Sequence, residues 1–430
     1  MRRPISFDVT HIVSRLPVAH PSGIDKVDLA YAQHFARIGC DTAVHYGLWR
    51  PRYHSGEAVA ELADLASRSR WVGGEEDNDP ALRRVVCFLT GRDGSSGSAR
   101  AEDREFLVEP AKGDGWRRRQ AQIRWRLSPG RHSLPNGALY LNVAQHVFEA
   151  PRFFRWLSDR PDVQPVFLVH DLLPMDYPEY FRPGYRERFG RRLDTIVGYG
   201  KALITTSDAV KRRLDEEFAG RKRPPVPIHV VPLPSTMASL EERALDDAEL
   251  AARPYFVVLG TIEPRKNHLL LLNVWRRLAE EHPSPPKLVI IGARGWENEQ
   301  TLDVLDRSTL VRPHVIEVSG VSDRGLLRLL ANARGLLMPS FAEGYGLPVV
   351  EALSVGTPVV ASDIPVFREI SQGCAIFHHP LDGPGWRQAV LTLSDRDHSA
   401  TREARHKASA FRAPSWPSYF ESVEAFLAEL

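Results

Sequence analysis

Residues 339–363, PSFAEGYGLPVVEALSVGTPVVASD, constrain this chain more than any other stretch. They read as a turn, a short helix and a buried strand. Glu343 sits in the turn with Gly344 and Gly346. Pro348 falls in the first helical turn, where its missing N–H and preset φ are tolerated. The spacing predicts a helix over about 347–355 that carries Glu351, stops near Gly356 and is followed by a strand, PVVAS, from Pro358. A glycine-bearing turn at a helix N-terminus presents free backbone N–H groups and the positive end of a dipole, which suits a phosphate. Two carboxylates flank that turn. Carboxylates cannot hold phosphate, but they accept hydrogen bonds from hydroxyls. One site that grips an anion by backbone and polyols by carboxylates fits a diphosphate bearing a ribose and a hexose.

The stretch resembles the E-x7-E signature of the family 4 glycosyltransferases, retaining enzymes of the GT-B fold. Glu343 and Glu351 match its two glutamates, and EGYGLP matches the usual EGFGLP. The resemblance spans most of the chain. It implies an α/β fold of the GT-B class, with two doubly wound Rossmann-like domains facing each other across a cleft. The expected boundaries are an N-terminal acceptor-side domain over 1–235, with an irregular insertion at about 50–137, and a C-terminal nucleotide-sugar domain over 236–410. A last helix, 411–430, is expected to cross back to the first domain.

Composition narrows the class. The chain has 430 residues, enough for two cores, and 43% of them are apolar. A net charge of only +2 supplies no global field for nucleic acid. No apolar run reaches the roughly 18–20 residues that span a bilayer. The start, MRRPISFDVTHIV, alternates like a strand rather than reading as a secretory signal. Cys40, Cys87 and Cys374 lie far apart without metal spacing, which fits a reducing cytoplasm.

In the N-terminal half, residues 5–13 read as a strand and 24–38 as a helix, the opening of a doubly wound sheet. The resemblance brings the loop between them, through Gly23, to the acceptor or the donor phosphate. Gly23 as a plain helix-start glycine is the other reading. DTAVHYGLW, from 41, gives a second strand, and VVCFLT, 85–90, reads as another. Between them lies an acidic run, EEDND at 75–79, and after them a Gly/Ser loop, 91–100; DND at 77–79 is assigned no metal. WRRRQAQIRWRL, 116–127, is either an amphipathic helix at a membrane surface or a solvated cover helix, with Trp125 off its apolar stripe. A buried strand, 165–169, ends at His170-Asp171, where active-site residues of such sheets sit. The resembling family has a histidine there, close to the reacting sugar. Asp171 either orients that ring or caps the following turn.

In the C-terminal half, PYFVVLGTIEPRKNHLLLLNVWRRLAEEH reads strand, loop, helix, with Asn267 as the N-cap. Arg265 and Lys266 at a strand's carboxyl end form a clamp for phosphate and would stabilise charge on a leaving diphosphate. The loop resembles the family's G-R-x-x-x-x-K segment. Lys266 takes the lysine position, Thr261 stands at the usual arginine position, and Arg265 supplies that charge instead. From here strands and helices alternate regularly, which implies parallel strands and right-handed crossovers.

The resemblance implies a mechanism. Glu351 accepts from ribose, and Glu343 contacts the donor sugar. Arg265, Lys266 and the backbone of Gly344, Tyr345, Gly346 and Leu347 hold the diphosphate, with His170 near the donor sugar. The expected donor is a nucleoside diphosphate sugar, with a lean toward GDP-mannose. The expected acceptor is a glycan or lipid-linked glycan in surface polysaccharide synthesis. No cofactor, metal or nucleic acid is expected; the location expected is cytoplasmic, or peripheral at the inner face of the membrane. The competing readings are a non-catalytic GT-B-like subunit and a sugar-nucleotide epimerase. A nicotinamide oxidoreductase would want G-x-G-x-x-G within residues 14–30, which do not contain it.

Overall fold

Runs of buried apolar residues form two separate sheets. The computed structural model describes residues 3–18, 21–47, 50–67, 79–92, 115–130, 132–237 and 245–430. Two units divide the chain. One comprises Met1–Val72, Phe106–Thr236 and Ser415–Leu430, and the other Gly73–Glu105 and Met237–Pro414.

The first unit holds seven strands: β1 (Ile5–Asp8), β2 (Thr42–Tyr46), β3 (Pro51–Ser55), β4 (Leu139–Asn142), β5 (Gln164–Val169), β6 (Ala202–Thr205) and β7 (Ile228–Val230). Their order is β3-β2-β1-β4-β5-β6-β7, and all neighbours are parallel except β2 and β3. Helix Gly23–Ile38 follows β1 and the short helix Thr10–Arg15; its N-cap Ser22 forms a capping box with Asp25. The last helix, Trp416–Ala428, belongs to this unit. Its Tyr419 hydroxyl meets that of Tyr31 at 2.8 Å, and Phe420 stacks on His34 at 3.8 Å.

The second unit holds β8 (Tyr255–Leu259), β9 (Lys287–Ile291), β10 (Val315–Val318), β11 (Gly335–Met338), β12 (Val359–Ser362) and β13 (Ile376–His378), all parallel, in the order β10-β9-β8-β11-β12-β13. Strands buried on both faces need apolar residues throughout, as YFVVL and GLLM supply.

Two expectations are corrected. VVCFLT is not a strand: Pro80–Thr90 is a helix. Asp79 accepts from Leu82 N as its N-cap, Pro80 fits its first turn, and Leu82, Val85 and Leu89 recur at helical spacing on its buried side. This segment also does not belong with the N-terminal domain, as the reading of 50–137 as one insertion had it. Asp79 accepts from Ser322 N (2.7 Å), and Phe88 lies under the Lys287 ammonium (5.0 Å), both residues of the second unit. Residues 75–78 of the acidic run and 93–100 of the Gly/Ser loop lie outside the described residues. The basic stretch is the helix Gly115–Leu127. Trp125 turns inward against His54 (4.7 Å between centroids), and Trp116, Ile123 and Leu127 are 54%, 54% and 74% exposed.

Candidate active site

The second unit's strand order reverses between β8 and β11, because β9 and β10 lie on one side of β8 and β11–β13 on the other. Ligands of open parallel sheets bind outside the carboxyl ends at such a reversal. The loop after β8 carries Thr261, Arg265 and Lys266, and the loop after β11 carries Glu343. The fold therefore brings together two segments that lie 77 and 78 positions apart in sequence.

Their union is direct. Lys266 Nζ donates to Glu343 Oε1 at 2.6 Å, and Arg265 Nη1 donates to Glu343 Oε2 at 2.7 Å. Ser340 Oγ donates to Glu343 Oε1 (2.7 Å), and Arg265 Nη2 to Glu263 Oε1 (2.6 Å). Backbone bonds join the loops as well: Phe341 N donates to Arg265 O (2.9 Å), and Arg265 Nη1 to Ala342 O (2.6 Å). All three charged side chains are largely buried, with Glu343 6% exposed. Burial opposes its charge, but the Lys266 and Arg265 cations and the bonds from Lys266 and Ser340 outweigh it. The carboxyl is held down at about 2. An ionised carboxylate has about four acceptor sites, so the bonds from Lys266, Arg265 and Ser340 leave room for a ligand hydroxyl.

Two glycines shape the floor. Gly260, at the end of β8, has φ +130°, and a Cβ there would lie 3.1 Å from Lys266 Cε. Gly346 has φ +105°, and a Cβ would meet the Phe367 ring at 2.6 Å. Only glycine therefore lets this turn enter the helix Leu347–Ser354. Gly344, Tyr345 and Leu347 lie in or beside that turn, and Tyr345 is buried. Glu351 lies one turn into the helix and is itself buried.

Asn267 departs from expectation. Its backbone is left-handed (φ 55°), and its side chain caps nothing. Instead Nδ2 donates to Pro339 O (3.1 Å) and Pro380 O (2.8 Å), tying the Lys266 loop to the loops after β11 and β13. His268, next along, is fully buried; burial and then the Lys266 charge hold it down at about 3.

Two further site residues of the sequence reading belong to the first unit. His170 follows β5, and its Nε2 lies 3.0 Å from Val143 O. Burial, against that bond, holds it down at about 4. Asp171 accepts from Leu173 N (3.1 Å), so it caps the turn rather than orienting the imidazole. Gly23 is the exposed first residue of its helix. Sequence reasoning missed Glu263, Ser340 and Asn267, which hold the Arg265–Glu343–Lys266 cluster. A Glu two residues before a cation pair, and a Ser three before the turn glutamate, were the signals available.

A family model described as "Glycosyl transferases group 1" matches residues 244–372, which include every part of this cluster. O-antigen chain mannosyltransferase B of Escherichia coli is 30% identical over 274 residues, covering 62% of this chain and 70% of that protein. Serotype-specific mannosyltransferase WbdA of Escherichia coli is 32% identical over 219 residues, 48% of this chain and 27% of that one. The chain thus spans only about a quarter of the length of the WbdA relatives it matches. Among solved structures, HepE of Anabaena, in complex with UDP, superposes with a TM-score of 0.59 at 14% identity, covering 100% of both chains. That likeness concerns the fold alone, and with two sheets that are parallel but for the β2–β3 pair it bears out the GT-B class.

Proposed function

Because the chain belongs to the family of glycosyl transferases group 1, we propose that it moves a hexosyl group from a nucleoside diphosphate sugar to a glycan or lipid-linked glycan in surface polysaccharide synthesis. The observation that carries this is the Arg265–Glu343–Lys266 cluster at the sheet's reversal point. Two cations beside the N-terminus of the helix Leu347–Ser354 suit a diphosphate whose charge grows as the glycosyl bond breaks. Glu343, kept ionised, suits a sugar hydroxyl. Glu351 takes the ribose, and His170, neutral at pH 7, takes a hydroxyl of the donor sugar. In this reading Thr261 and the backbone of Gly344, Tyr345, Gly346 and Leu347 complete the diphosphate site, and Gly23 approaches acceptor or phosphate. Charge neutralisation falls to the chain's own cations, without metal or cofactor.

Mannose is the favoured sugar, because the relatives are named O-antigen and serotype-specific mannosyltransferases. Retention at the anomeric carbon, with a phosphate oxygen taking the acceptor proton, rests on the E-x7-E resemblance. Peripheral contact with an anionic membrane is supported by the exposed Trp116, Ile123 and Leu127 beside exposed Arg119, Arg124 and Arg126 on one helix. Among the described residues, no helix is long and apolar enough to cross a membrane.

A panel of nucleotide sugars screened by thermal shift tests the donor, since a ligand that binds the folded state raises its melting temperature. GDP-mannose should give the largest shift, and product analysis by NMR should find the α-anomer. No shift with any nucleotide sugar would refute the reading. An isomerised donor without acceptor would favour an epimerase.

A further inference from the structure

The first unit has a reversal point of its own. Its sheet turns back between β1 and β4, so the loops after these strands frame the crevice where such sheets hold ligands. His11 follows β1 and His146 follows β4; their ring centroids are 5.7 Å apart. Neither residue has a role in the donor site above.

His11 is held from behind. Its Nε2 lies 2.8 Å from Asp25 Oδ1. Asp25 is fully buried and accepts five hydrogen bonds: one from His11, two from Arg15 (2.9 Å each), and two from the N–H and hydroxyl of Ser22 (2.6 and 2.8 Å). Burial opposes the Asp25 charge, but the His11, Arg15 and Ser22 bonds hold this carboxyl well below its usual range. An ionised Asp25 fixes the proton on Nε2, which leaves Nδ1 as an acceptor. Among the described residues Nδ1 has no partner and is not sealed off, for the side chain is 17% exposed.

His146 is held from the sides. Its neighbours Gln145 and Val147 both have positive φ, 54° and 59°. For a β-branched valine that conformation is an outlier, and such strain persists only where the surroundings impose it. Gln145 is pinned accordingly: its N–H donates to Asn142 Oδ1 (2.8 Å) and its Nε2 to Leu168 O (2.9 Å). Burial holds His146 down at about 4, so its ring is uncharged at neutral pH. A fixed acceptor nitrogen beside an uncharged imidazole suits hydroxyl groups, which both donate and accept, better than it suits an anion.

We propose that His11 and His146 form a subsite of the first unit for a hydroxyl of the acceptor sugar, which donates its O–H to His11 Nδ1. This rests on the glycosyltransferase reading above. No bond is made or broken at His11. It orients the hydroxyl, and Asp25 acts through it by choosing which nitrogen accepts.

The experiment uses the full chain with GDP-mannose as donor and octyl α-mannopyranoside as the acceptor probe, varying each in turn. In His11→Ala the KM for the probe should rise about tenfold, the loss of one hydrogen bond, while the KM for GDP-mannose stays within about twofold. His11→Phe keeps a ring against His146 but has no nitrogen, and should behave alike; it decides the matter if the alanine variant does not fold. An unchanged probe KM in a folded variant would overturn the subsite, and so would an equal rise in both KM values. GDP release by the unaltered chain is followed in parallel. If it is absent, the donor reading fails, and that failure is thereby told apart from failure of the subsite.

Discussion

Glu343→Gln should change how the second unit responds to acid. In the native protein this carboxyl is held at about 2 against an ordinary 4.5, so its ionised form gains about 3 kcal/mol from the fold. A depressed folded value gives stability that is complete above the unfolded value of 4.5 and is lost as pH falls toward 2. By about pH 3.5, roughly 1.4 kcal/mol of it should be gone. Glutamine cannot titrate. It also leaves Arg265 and Lys266 buried without their shared counter-ion, a loss of about 3–5 kcal/mol near neutrality. The melting gap between wild type and variant, followed by calorimetry, should therefore be wide at about pH 6. It should narrow by about 3 °C at about pH 3.5, for a unit of about 200 residues. A gap of equal width at both pH values would refute the electrostatic account of this cluster.

Three further outcomes follow from the same geometry. Gly260→Ala puts a methyl 3.1 Å from Lys266 Cε on a backbone of φ +130°; unfolding free energy should fall by about 1–3 kcal/mol and kcat should drop with it. Wild-type stability and turnover would show that Lys266 does not depend on this contact. Glu351→Ala should weaken GDP-mannose binding about tenfold in calorimetry, as expected when a hydrogen bond to a charged group is lost; unchanged affinity would remove Glu351 from the ribose. Asp28 is buried, and burial first, then the Asp8 and Asp25 charges, push its carboxyl well above the usual range. A raised folded value costs stability as pH rises above the ordinary carboxylate value, so the advantage of Asp28→Asn over wild type should widen as pH is raised from that value toward neutrality. A pH-independent difference would contradict this.

Much of the second unit was legible in the sequence because its strands are buried on both faces and so are apolar runs, while the Glu343 turn needs glycine and proline at fixed places. The union of Lys266 with Glu343 could be expected only through the topology, since no local pattern links residues 77 apart. VVCFLT misled because a β-branched run mimics a strand. The Asp79 cap and the packing of Phe88 under Lys287 override that propensity. The position of Asn267 in the sequence suits a cap, but its left-handed backbone sends the side-chain amide to two carbonyls instead. The His11–Asp25 pair left no trace in sequence, because the residues lie 14 apart across a helix and a loop.

In the proposed donor site Lys266 and Arg265 hold a sugar nucleotide's diphosphate while Glu343 reads its sugar. Titration of GDP-mannose into the unaltered chain and into Lys266→Ala tests it most directly. Saturable binding that weakens at least about tenfold in the variant, with turnover down about 100-fold or more, is the predicted result. Equal affinity and turnover in both proteins would contradict it.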